Sequence, residues 1–416
     1  MTTTTIRAAI TAALLLGAAA TAYAADDKAK VAAAPAAPKL TSAVQKALSE
    51  AQTANNKKDY PAALAAIDKA KAVDSRTAAD NVMINRFAMA VHIGMSDFAG
   101  ADADAEAAAD AALGDPTATN DAATVFKPAL QLALNAKHYD KAAKYAKAYQ
   151  ATNPPAADMP LIAQAYYLGG DYDGATGVAQ KNIDAAKAAN AKPARNDLDI
   201  VMSAQVKKKD EPGAEVSLEA LVQYYNDPAD WGQILGVSMG GKGMTDIDYV
   251  YLGRLMAPTG AKTSAQDVQL VGATANKNAL YGDAEAFQKL GGPAPDPREA
   301  ADKKSIPDQI KLSQSPKGTG EFDVKLAEAL YGYGQFQDAI TAAQTAKQKG
   351  GAKDAIEADM VIGQSQAALG QYDAAAATFA GITAPNPGRA RVVRLWTYYA
   401  KSKTAAPATA AAAPAK

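Results

Sequence analysis

Few residues in this chain have both the type and the spacing that chemistry would need. Gly236-Val-Ser-Met-Gly-Gly-Lys-Gly243 comes within one residue of a phosphate-binding loop. In such a loop, glycines let backbone N–H groups cradle phosphate, and a Ser or Thr after the lysine holds magnesium. Gly243 stands where that hydroxyl belongs, and no β-branched strand precedes it, so the segment reads as a flexible link between helices. Asp102, Asp104, Glu106 and Asp110 form an acidic run. A calcium loop needs alternating oxygen ligands and a glycine at its sixth position. Here alanines intervene at helical spacing, so a solvated helix face is expected.

The remaining chemistry is thin. His92 and His138 are the only two histidines, and there is no cysteine. Disulfides, thiolate nucleophiles and Cys-ligated zinc or iron–sulfur sites are therefore excluded. No G-x-S-x-G nucleophile motif occurs. Lys207-Lys208-Lys209 is a basic turn too small to grip nucleic acid. Lys plus Arg is 43 and Asp plus Glu is 44, a net charge of -1, which gives no field for steering onto nucleic acid or an anionic membrane. The expectation is a protein with no cofactor, no metal and no catalytic activity. An enzyme hidden in the irregular stretch 230–290 is the remote alternative.

The ends read as address and tether. Residues 1–24 carry Arg7, an apolar run at Ala8–Ala20 and small residues at Ala22 and Ala24, the pattern of a cleaved secretory signal. The apolar run is too short to span a membrane, and no later stretch approaches 18 apolar residues. The mature chain is therefore expected in the periplasm, or secreted, without inserting into a membrane. Residues 25–39 and 403–416 are rich in Ala and Pro, with little large apolar surface to bury, and read as disordered segments.

The middle of the chain repeats itself. KKDYPAALAAIDKA (57–70), GGDYDGATGVAQ (169–180), GYGQFQDAITAAQTA (332–346) and ALGQYDAAAATFAGI (368–382) share one design. A small or polar turn leads to an aromatic, then to Ala three residues later, then to apolar positions three and four apart. Weaker copies are 95–111 and 136–154. The register aromatics Tyr60, Phe98, Tyr139, Tyr172, Phe336 and Tyr372 are separated by 38, 41, 33, 164 and 36 residues. A period near ~34 with Gly-x-aromatic-x-x-Ala is the signature of stacked helix–turn–helix units. Between the fourth and fifth aromatics the spacing predicts three further helical pairs: Asp197–Val206 with Ala214–Tyr225, Asp230–Val237 with Asp246–Met256, and Gln266–Leu280 with Asp283–Leu290. Residues 291–320 hold five prolines and several glycines and read as a connector between repeats at 40–290 and a C-terminal pair at 321–402. In the final helix Val392, Leu395, Trp396 and Tyr399 share one face, which predicts a cap that leaves Arg389, Arg391, Arg394 and Lys401 in water.

These residues resemble the tetratricopeptide repeat family. Leu161–Ala179, Leu326–Ala343 and Ile362–Phe379 are the closest copies. In the last, Gly363, Gly370, Tyr372, Ala375 and Phe379 fall at the family's small and aromatic positions, and Pro154 falls at its repeat-ending proline. Met159, Asp323 and Asp359 replace the large aromatic early in the first helix, and Ser96 and Lys137 replace the turn glycine. YYNDPADW (224–231) and RLWTYYA (394–400) are also similar to a group of exported proteobacterial repeat proteins. The resemblance implies an all-α helical-hairpin solenoid, a right-handed superhelix closed by a C-terminal capping helix.

It also implies that the first helix of each pair lines an inner groove, with the ninth position of each repeat pointing inward. Those positions are Gln52, Ala90, Gln131, Gln164, Glu328 and Gln364, with Arg86, Lys127, Tyr167 and Tyr331 nearby. Glutamine both donates and accepts hydrogen bonds, so the row suits the backbone of an extended peptide. The expected function is an exported scaffold that binds a peptide segment or protein partner of the cell envelope. The alternative is an interaction subunit of an envelope export or polysaccharide-assembly complex. The leader predicts that the exported protein begins at or near Ala25. Mass measurement of periplasmic protein checks this, and an intact Met1 there would overturn the localisation.

Overall fold

The computed structural model describes residues 38–404 except 316 and 351–354. The leader at 1–24, all but two residues of the segment 25–39 and all but two of the tail 403–416 lie outside the described residues. The chain divides into two compact units between Lys209 and Asp210.

The N-terminal unit contains nine α-helices among the described residues. They are α1 (Ser42–Asn56), α2 (Tyr60–Lys71), α3 (Ala78–Met95), α4 (Phe98–Gly114), α5 (Ala123–Asn135), α6 (Tyr139–Gln150), α7 (Met159–Leu168), α8 (Tyr172–Ala188) and α9 (Arg195–Lys207). The C-terminal unit continues with α10 (Glu211–Tyr225), α11 (Pro228–Met239), α12 (Asp246–Thr259), α13 (Ala265–Lys277), α14 (Tyr281–Gln288) and α15 (Glu299–Ser313). It ends with α16 (Gly320–Gly332), α17 (Phe336–Lys349), α18 (Ala355–Ala368), α19 (Tyr372–Ala380) and α20 (Pro387–Thr404). No strand occurs among the described residues. The fold is all-α, built of tetratricopeptide-like helical hairpins.

One turn geometry makes the hairpins. Each register aromatic is the first residue of a second helix. Two residues before it the backbone is left-handed, at Lys58, Ser96, Lys137, Gly170, Gly334 and Gly370. The residue between them sends its N–H back five positions: Asp59 to Ala54 O, Asp97 to His92 O, Asp171 to Tyr166 O and Gln371 to Gln366 O, at 2.8–3.0 Å. This bond satisfies a carbonyl orphaned at the end of the first helix. Asp59, Asp97 and Asp171 then cap the second helix through their side chains. Left-handed backbone costs a non-glycine residue about 1–2 kcal/mol, yet Ser96 and Lys137 adopt the same conformation as the glycines they replace. A seventh turn of this kind stands at Ala279–Tyr281, where Leu280 N bonds to Ala275 O at 2.9 Å.

Packing follows from the turn. The alanine three residues after each first aromatic is fully buried in all seven hairpins: Ala63, Ala101, Ala142, Ala175, Ala284, Ala339 and Ala375. A larger side chain there would push the paired helices apart. Six of the seven aromatics sit at the edge of the packing: Tyr60, Tyr139, Tyr172, Phe336 and Tyr372 are half-buried, and Phe98 is 41% exposed, whereas Tyr281 is buried. Deep aromatic burial falls elsewhere. Phe379 is fully enclosed and lies on Gly363, where a methyl would stand 2.6 Å from its Cε1. Tyr60 uses Gly94 of α3 in the same way.

The two units close differently. In the N-terminal unit the substantial packing of each helix is with helices one or two places away, the pattern of a solenoid. In the C-terminal unit α20 returns to α10 and α12 as well as to α18 and α19. The division does not fall in 291–320, because α15 stands there and its Ile306 joins the core of Val324, Leu326 and Leu330. It falls instead inside the expected pair α9 and α10.

The closing helix is not a water-facing cap. Arg389 is buried against Asp248, Arg391 pairs with Glu215, and Arg394 pairs with Glu219 at 2.7 Å. Trp396 Nε1 donates to the carbonyl of Tyr251 at 3.0 Å. Arg394, although paired, and Lys401 are exposed as expected. Because Phe379 is enclosed and Tyr372 is not, Phe379→Ala should destabilise the C-terminal unit by about 3–5 kcal/mol, and Tyr372→Ala by less than half as much. Equilibrium urea unfolding measures both.

Candidate functional site

The near phosphate loop serves packing. Residues 240–245 link α11 to α12, and their glycines let α20 approach. A side chain on Gly241 would collide with the Arg391 guanidinium, and one on Gly388 with the backbone of Gly243. The glycines stand where another helix needs the space, and no strand precedes them.

The acidic run is not a solvated face. Asp102 and Asp104 are buried. Asp104 Oδ2 lies 2.6 Å from His92 Nδ1, and Asp102 Oδ2 lies 2.8 Å from His138 Nδ1. Lys141 reaches Glu106 at 2.6 Å and Lys144 reaches Asp110 at 2.7 Å. Asp104 thus meets the imidazole of α3 within its own hairpin, and the other three carboxylates meet His138, Lys141 and Lys144 of the α6 hairpin, which binds successive hairpins together. Both histidines are engaged in this way. No group of three metal-ligating side chains occurs among the described residues.

The inner row divides between the units. In the N-terminal unit Gln52 and Gln164 are exposed, and Arg86, Ala90, Lys127, Gln131 and Tyr167 are half-buried. Arg86 and Ala90 are four residues apart on α3, as are Lys127 and Gln131 on α5, so each pair shares a helix face. Lys127 Nζ binds both oxygens of Asp158 at 2.8 Å, and Tyr149 donates its hydroxyl to the same carboxylate. Burial raises the Asp158 carboxyl, but these bonds outweigh it and hold the group below the usual carboxylate range. The Tyr167 ring rests against Tyr172 with centroids 5.8 Å apart.

In the C-terminal unit the corresponding positions are filled from within. Glu328 and Gln364 have no exposed surface, and Tyr331 is half-buried. The residue that fills the space is Arg254 of α12, itself buried. Its Nε and Nη2 bind the two oxygens of Asp283 at 2.8 Å, and Nη2 also binds Glu328 Oε2 at 2.7 Å. Its Nη1 donates to Gln364 Oε1 at 2.6 Å, and its guanidinium lies 4.0 Å from the centroid of the Tyr331 ring. The Tyr251 hydroxyl donates to Glu328 Oε1. Burial alone would lower the basicity of Arg254, but Asp283 and Glu328 reverse this and raise it well above its usual value. Glu328, Tyr331 and Gln364 are therefore core groups and not an open groove.

Arg254 and Tyr251 escaped the sequence reading because α12 lacks the repeat signal, and Asp283 because the turn before α14 is made by Ala279 and Leu280. The available clue was a single arginine inside the apolar string VYLGRLM (250–256). A charge so placed must be neutralised by partners brought from elsewhere in the fold.

No protein-family model matches the chain, and no curated protein resembles it in sequence. Among solved structures, the chain is similar to the tetratricopeptide domain of P58(IPK), at 15% identity, covering 87% of this chain and 98% of that one with a TM-score of 0.23. A second is the Naa15/Naa10 complex bound to HypK, at 12% identity, covering 83% of this chain and 69% of that one with a TM-score of 0.20. At these scores neither likeness bears on the site. The helical-hairpin architecture rests on the seven turns and their buried alanines.

Arg254→Met should cost about 3–5 kcal/mol, because it strands two buried carboxylates without a counter-charge. Adding Asp283→Asn and Glu328→Gln should recover at least half of that loss. Urea unfolding of the single and triple variants measures the difference.

Proposed function

We propose that the chain is a non-catalytic scaffold whose N-terminal unit holds an extended peptide segment of a protein partner along the inner faces of its first helices. The observation that carries this reading is the contrast between the units. Gln52, Gln131 and Gln164 remain accessible, whereas Glu328 and Gln364 are consumed by Arg254. An accessible amide in each of three hairpins offers a donor and an acceptor at intervals along a peptide backbone, and affinity would come from many modest contacts. The leader-like segment 1–24 supports a periplasmic setting, where the partner would be a protein of the cell envelope.

Panning a phage library of random dodecapeptides on the immobilised full chain tests the binding. Replacing Gln52, Gln131 and Gln164 together with Ala should weaken capture of the selected peptides about tenfold or more, since each neutral hydrogen bond contributes roughly 0.5–1.5 kcal/mol. Circular dichroism and melting should be unchanged. Capture that is indifferent to the triple variant, or no selection at all, would remove this reading.

A further inference from the structure

His92 stands between two carboxylates. Its Nδ1 lies 2.6 Å from Asp104 Oδ2 of α4, and its Nε2 faces Asp97 Oδ2 at 3.9 Å. The first distance is a hydrogen bond, and the second is too long to be one. An ionised carboxylate only accepts, so Nδ1 carries the proton and Nε2 of the neutral ring keeps a lone pair. Asp104 is buried, with Lys71 Nζ of α2 at 3.8 Å from its other oxygen. A histidine whose Nδ1–H is held by a carboxylate is oriented to offer Nε2 to a metal ion.

The turn supplies the second donor. Asp97 N–H returns to the His92 carbonyl at 2.9 Å, the bond that closes the hairpin. At the equivalent place the other six turns carry alanine, tyrosine, leucine or glutamine, so only here does the turn bring a capping aspartate to an imidazole. Asp97 Oδ1 accepts from Gly100 N at 3.0 Å and caps α4, whereas Oδ2 faces the ring. Gly100 leaves the space for both groups. A side chain there would stand 2.5 Å from Asp97 Oδ2 and 2.9 Å from His92 Cγ. The imidazole is 20% exposed and the Asp97 carboxylate 46%, so an ion reaches them from solvent.

We propose that His92 Nε2 and Asp97 Oδ2 bind a copper(II) ion, with water in its remaining positions. Their 3.9 Å separation is close to twice a metal–ligand bond of ~2 Å, so the donors flank the ion from nearly opposite sides. That arrangement suits the tetragonal geometry of copper(II). A tetrahedral zinc ion needs its donors about 3.4 Å apart. Among first-row divalent ions, nitrogen and oxygen donors hold copper most tightly. Asp97 and Asp104 against Lys71 leave one negative charge beside the ring for the ion to neutralise. His138 is the internal control. Its Nδ1 meets Asp102 at 2.8 Å in the same way, but among the described residues no second carboxylate joins it.

The test titrates copper(II) chloride into the full chain and follows the Cε1–H proton signals of the two histidines, which a bound paramagnetic ion broadens. Substoichiometric copper should broaden His92 and leave His138 sharp. Asp97→Asn keeps a good helix cap and should weaken copper at His92 about tenfold or more, as read by competition with glycine. Asp104→Asn, which acts only by positioning the ring, should weaken it roughly 10–100-fold. His138→Gln should change nothing, and an equal concentration of zinc should displace no copper. Should Asp104→Asn fail to fold, Asp97→Asn alone gives the comparison. Equal broadening of both histidines, or copper affinity indifferent to the two aspartate variants, would reduce the event to an exposed imidazole and overturn the site. Zinc that displaces copper would overturn the choice of ion. A His92 signal that stays sharp would overturn the proposal outright.

Discussion

Everything in this fold depends on how closely two helices of a hairpin approach. The limit is set by one methyl group. In seven hairpins an alanine three residues into the second helix is fully enclosed, and the left-handed turn just before it fixes where that methyl lands. A turn that always orphans and then re-bonds the same carbonyl leaves little freedom in the crossing of the two helices. With the hairpin fixed, each pair presents an apolar face that only another pair can cover, and stacking follows. The high alanine content is thus a packing requirement as well as a helix-forming preference.

The same element gives two different outcomes. In the N-terminal unit, stacking proceeds with polar rungs between hairpins, notably the His138–Asp102 and Lys141–Glu106 pairs, and Gln52 and Gln164 remain exposed. In the C-terminal unit, α12 departs from the repeat pattern and places Arg254 among Asp283, Glu328 and Gln364. A buried arginine held by two carboxylates, an amide and an aromatic face is worth little as net stability, because desolvation consumes most of the attraction. Its effect is on arrangement. Asp283, Glu328 and Gln364 come from α14, α16 and α18, so the guanidinium ties those three helices to α12.

The legible part of the structure was the part with local rules. Gly-x-aromatic-x-x-Ala placed six hairpins, because a turn and its next four residues determine one another. The three pairs expected between the fourth and fifth aromatics correspond to helices, with the unit division falling inside the first. Tyr281 and Ala284 carried the same spacing but stood behind Ala279 and Leu280, which hide the turn. Long-range polar pairing was not legible. Asp102 and Asp104 looked like solvent-facing acids because nothing nearby in sequence announces that His138 and His92 will face them. The pairing of Arg389, Arg391 and Arg394 was hidden because their carboxylates lie 141 to 176 positions earlier. The proline cluster near 293–307 suggested a break, yet Pro293, Pro295 and Pro297 precede α15, and the helix carries Pro307 inside it.

The closing helix also sets an order of assembly. In the N-terminal unit each hairpin finds its partners as soon as the next one is made, so ordering can spread along a growing chain from its first helices. The C-terminal unit has no such route. Asp248, Glu215 and Glu219 wait for arginines at 389–394, and Tyr251 waits for Trp396. Closing so long a loop delays the reward for non-local contacts. Until the last helix has left the ribosome, the acidic faces of α10 and α12 stay unmatched, and that half of the molecule is the half a chaperone would have reason to hold.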